Sequence, residues 1–135
     1  MLVDIARDSA TSQEQLRAAG QAFLEQVGRR SQADVTDALT VVSANFGLDD
    51  PATGAFLALI CGAFIERGYD AAVIAEPLTR QLAHLLQLAQ ELAAECVSRM
   101  AEYDKPVEDD DELFEEARRH LAAEMPECNQ AWRAL

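Results

Sequence analysis

The 135-residue chain is half hydrophobic, 26% charged and carries a formal net charge of −13. That apolar content at this length supports a buried core and argues against general disorder. The acidic balance disfavours nucleic acid, whose phosphates need clustered Lys and Arg, and disfavours anionic membrane surfaces.

Alanine is frequent, Pro and Gly are few and stand at segment ends, and nothing alternates with period two. An all-α fold in a single domain over residues 1–135 is therefore expected. Residues 1–10 carry little pattern, and MLVDIARD has no basic region leading into an apolar run, so no secretion signal is read there.

Thr11 and Glu14 have the spacing of a capping box. Leu16, Ala19, Phe23 and Val27 make the buried stripe of the helix that follows, and Gly28 closes it beside Arg29 and Arg30. Ser31 and Asp34 open a second helix with Val35, Ala38, Leu39, Val42 and Phe46 on its inner face, ended by Gly47.

Asp50 and Pro51 then suit the N-cap and first position of a third helix. From Ala55 to Ile65 the chain has no charge and no strong hydrogen-bonding side chain. A helix apolar on every side must be enclosed, and eleven residues cannot cross a bilayer that needs about 20. This segment is expected innermost, with Gly54, Ala58 and Gly62 as a ridge for close helix packing.

Gly68 stands where a left-handed residue closes a helix, and Asp70 can cap the next one. Pro77 permits either a short helix before a kink or a helix that starts there. Leu78, Leu82, Leu85, Ala89, Leu92 and Cys96 form a heptad-type seam, widened by Leu86, Leu88, Ala93, Val97 and Met100. Arg80, Gln87, Glu91, Ser98 and Glu102 fall opposite, and the helix is expected to end near Tyr103, before Pro106.

Residues 108–116 hold seven carboxylates: Glu108, Asp109, Asp110, Asp111, Glu112, Glu115 and Glu116. They can favour a helix start through its dipole, or dock a basic partner. They are not an EF-hand, since the alternating ligands and central glycine are missing. Phe114, Ala117, Leu121 and Met125 follow on one stripe, and after Pro126 come Cys128, Ala131, Trp132 and Leu135 on another. An apolar stripe reaching Leu135 fits docking onto the core, cover by a second copy of the chain, or a longer helical protein of which this is the N-terminal part.

The expected architecture is about six helices in three antiparallel pairs: 11–28 with 32–46, 51–67 with 71–102, and 110–125 with 127–135. It forms a closed bundle or a short stack of HEAT-like helical hairpins, the latter hinted at by the echo of residues 22–26 in residues 63–67.

Chemistry is sparse. Cys61, Cys96 and Cys128 lie far apart with no CxxC or Cys/His cluster, so zinc is not expected and free thiols suit a reducing cytoplasm. His84 lacks acidic neighbours at helical spacing, whereas Glu116, His120 and Glu124 are four apart and are the weak candidates for a metal. No nucleophile elbow, phosphate loop or dinucleotide fingerprint occurs. The expected function is a non-catalytic, cofactor-free module that binds another protein of basic character. Its site is the acidic run with Trp132 or else the groove of a short helical stack; a metal- or small-molecule-binding bundle and a fragment or subunit of a larger helical assembly are the alternatives.

Overall fold

The computed structural model describes residues 1–8, 10–47, 50–103 and 110–135. Among them are seven α-helices and no strand: α1 (Leu2–Arg7), α2 (Gln13–Val27), α3 (Gln32–Ser43), α4 (Pro51–Ile65), α5 (Ala72–Met100), α6 (Asp110–Leu121) and α7 (Pro126–Ala134). The all-α expectation holds, with one helix more than foreseen. The chain forms two compact units, residues 1–81 and 82–135, and α5 contributes to both.

The additional helix in the first unit is α1. A six-residue helix is unstable alone, so its pattern in the sequence is faint. Here it is held by burial of Leu2 and by Arg7, whose Nε donates to Asn45 Oδ1 at 3.0 Å. Asn45 in turn donates from Nδ2 to the Val41 carbonyl at 2.8 Å.

The capping box of α2 lies one residue later than the Thr11–Glu14 spacing suggests. Ser12 Oγ accepts from the Gln15 N–H at 3.2 Å, and Gln15 Oε1 accepts from the Ser12 N–H at 2.8 Å. Glutamine at this position serves as well as glutamate. Ser31 caps α3 as expected.

For α4, Asp50 accepts from the Ala52 and Thr53 N–H groups, with Pro51 at the first position. Its far end is a complete Schellman closure. Gly68, at φ +95°, donates to the Ile65 carbonyl, Tyr69 donates to the Phe64 carbonyl, and the Tyr69 and Phe64 rings meet edge-on at 5.7 Å.

The core of this unit is built from Val35, Leu39, Val42, Phe46, Leu57, Ile60, Cys61 and Phe64, with Leu2 and Ile74. Phe23 and Phe64, the matched aromatics of residues 22–26 and 63–67, touch edge-to-face at 5.9 Å. Among the described residues α4 packs chiefly against α3 and α2. The expected hairpin with the long helix is not its main contact; α5 adds Val73 and Ile74 to this core.

Two further expectations for α4 need correction. The helix is not enclosed on every side, because two neighbouring helices leave a face open and Leu59 there is 74% exposed. The Gly54–Ala58–Gly62 ridge is used at one end only. A Cβ on Gly54 would lie 2.2 Å from the Phe46 carbonyl oxygen, whereas one on Gly62 would meet nothing within 4 Å.

In the second unit, Leu92 and Cys96 of α5, Ala117 and Leu121 of α6, and Cys128 of α7 form the core. Leu88, Phe114 and Met125 pack on it from the sides. Pro126 takes the first position of α7, where its missing N–H is harmless.

The long helix is a single α-helix from Ala72, and Pro77 lies inside it. Asp70 Oδ1 accepts from the Ala72 N–H at 2.9 Å, as foreseen for a cap. The heptad-type seam is buried at Leu85, Ala89, Leu92 and Cys96, but Leu78 and Leu82 are exposed. Among the described residues no helix is long and apolar enough to cross a membrane.

Candidate functional site

The acidic run opens α6, where carboxylates complement the positive end of the helix dipole; Arg118, Arg119 and His120 occupy the last turn. Glu108, Asp109 and the side chain of Asp110 lie outside the described residues. Asp111 and Glu112 are exposed, and Glu116 is half-buried.

Glu115 is not a free carboxylate. Arg118 clasps it, with Nε 3.1 Å and Nη2 2.7 Å from Oε2. The hydrogen bond from Arg118 holds the Glu115 carboxyl below its ordinary pKa, and the same bond raises that of the guanidinium. Nη1 of Arg118 also donates to Asn129 Oδ1 at 2.8 Å, tying α6 to α7. The pair at i and i+3 thus serves the α6–α7 packing, a role that the charge run concealed.

Trp132 joins this side of the unit. Its ring centroid lies 5.3 Å from that of Phe114, the residue before Glu115, and the side chain is 36% exposed. That ring contact joins α7 to α6.

The Glu116–His120–Glu124 stripe does not persist in space. The last α6 residue is Leu121, and Glu124 in the following turn pairs with Arg99 at 3.2 Å instead. Among the described residues no three of His, Cys, Asp and Glu stand together in a way that would hold an ion.

All three thiols are free and buried. Burial pushes the Cys61 thiol up to about 12 and raises those of Cys96 and Cys128 as well. A thiol held protonated is a poor nucleophile.

Hollows lined by described residues include two of note. One of about 190 Å³ lies between α2 and the start of α4, lined by Gln13, Leu16, Arg17, Asp50, Ala52, Thr53 and Phe56. Its carboxylate is already spent: Asp50 accepts from Ala52 N–H, Thr53 N–H and the Thr53 hydroxyl.

The other, of about 460 Å³, is a groove between α5 and α7 lined by Leu86, Ala89, Gln90, Ala93, Trp132 and Leu135. Sequence reading placed Leu86 and Ala93 within the widened core seam and so missed their part in a surface. The available signal was the width of the apolar arc on α5, which is more than two short helices can cover.

Compared with protein-family models, curated proteins and solved structures, the chain matches none of them.

Proposed function

We propose that the protein is a non-catalytic helical module that binds another protein of basic character, in a reducing cytoplasm that suits its free thiols. The observation that carries this reading is half-exposed Trp132 backed by Phe114 in the second unit, which also exposes Asp111 and Glu112 at the start of α6. A supported aromatic in a unit that also exposes carboxylates is a composition suited to anchoring a Lys- or Arg-rich surface. Glu108, Asp109 and Asp110 add to the charge in the sequence, and residues 82–135 contain thirteen acids and five bases.

The reading is tested by affinity capture followed across a salt series. Retention of the captured partner falls as salt rises and drops in Asp111→Asn/Glu112→Gln and in Trp132→Ala, since rim charges are screened and set the encounter rate. Retention unchanged by salt and by both variants contradicts it.

A further inference from the structure

α5 carries a second apolar stripe beside the buried one. Leu82, Leu86 and Val97 are exposed, and Ala93 is half-buried between them. At 3.6 residues per turn these four fall on one side of the helix. The exposed neighbours on that side are Ala83, Gln90 and Ala94, none of them charged. Glu91 and Glu95, the charged residues of the span, turn to the opposite half of the circumference. In a chain with a net charge of −13, a charge-free exposed face about 22 Å long, from Leu82 to Val97, stands out.

Charge decides what fits it. A strongly charged surface would find no counter-charge on this face. A second copy, repelled elsewhere, meets no carboxylate on this face, and depletion of charge is the mark of an interface core. The spacing is also self-complementary. Leu82, Leu86, Ala93 and Val97 read 4, 7, 4 in either direction, with Ala89 and Gln90 at the centre. A two-fold axis there sets Leu86 against the small Ala93 and Leu82 against Val97, and opposes the two helix dipoles. The floor of the 460 Å³ groove, made by Leu86, Ala89, Gln90 and Ala93, lies over the same centre.

We infer that the protein forms a homodimer through this face, two α5 helices packing antiparallel with Leu82 against Val97 and Leu86 against Ala93 of the second copy.

Light scattering on size-fractionated protein from low to high micromolar concentration tests it. The full chain gives a mass near twice 14.8 kDa. Leu86→Glu, and Gln90→Glu as a second variant at an exposed position, give the mass of one chain with an unchanged helical circular dichroism spectrum. Leu82→Glu and Val97→Lys each give single chains, and the two together restore the dimer, because antiparallel pairing sets the new carboxylate against the new ammonium. A single-chain mass at every concentration, a dimer that survives both Leu86→Glu and Gln90→Glu, or no recovery in the double variant would overturn the inference.

Discussion

Gly54 and Gly62 occupy matching places on one ridge yet respond oppositely to the same substitution. Gly54→Ala drives a methyl into the Phe46 carbonyl and is expected to cost about 3 kcal/mol or more, at the upper end of overpacking effects. Gly62→Ala enters open space and is expected to stabilise by about 0.5–1 kcal/mol, since alanine loses less backbone freedom in a helix. Denaturant titration of the two variants reads both signs. Cys61 supplies a pH test. Its folded pKa near 12 exceeds the ordinary 9.0, so the protonated thiol stabilises the fold fully below pH 9, and that contribution is lost as pH rises from 9 toward 12. The stability gap between the protein and Cys61→Ala therefore narrows across that interval, and a gap independent of pH would contradict the burial.

At the scale of elements, the helices were largely legible because their stops are chemical. Asp50 with Pro51, Ser31 and Gly68 perform the capping that their side chains allow. What the sequence hid was the partner of each face. A stripe tells that a side must be covered but not by which helix, so α4 was assigned to α5 when its main neighbours are α2 and α3. For the same reason Leu59, chemically like Leu57, was placed in the core although it is 74% exposed. Leu57→Ala should cost about 2–5 kcal/mol, while Leu59→Gln should change stability by less than about 0.5 kcal/mol. In α5, hydrogen exchange is expected to be slowest over Leu85–Cys96 and faster around Leu78–Leu82, where the side chains are exposed and Pro77 removes one ladder bond. Uniform protection along the helix would contradict the exposure of Leu78 and Leu82.

Over the whole molecule, charge is spread unevenly: residues 82–135 carry −8 of the net −13. The composition made that asymmetry visible at once, and with it the proposed docking segment. The site was less legible than the charge. Arg118 withdraws Glu115 from the acidic run, and Glu124 turns to Arg99 rather than joining His120, because both outcomes depend on where α6 ends and on what α5 and α7 bring to it. Trp132 lies against Phe114, a contact that its stripe in the sequence did not name. The most direct measurement is zero-length carbodiimide coupling of the protein to its captured partner, which joins carboxylates to lysines already in contact. The account predicts coupling at Asp111, Glu112 and adjoining acids of the run; coupling confined to carboxylates of residues 1–81 would contradict it.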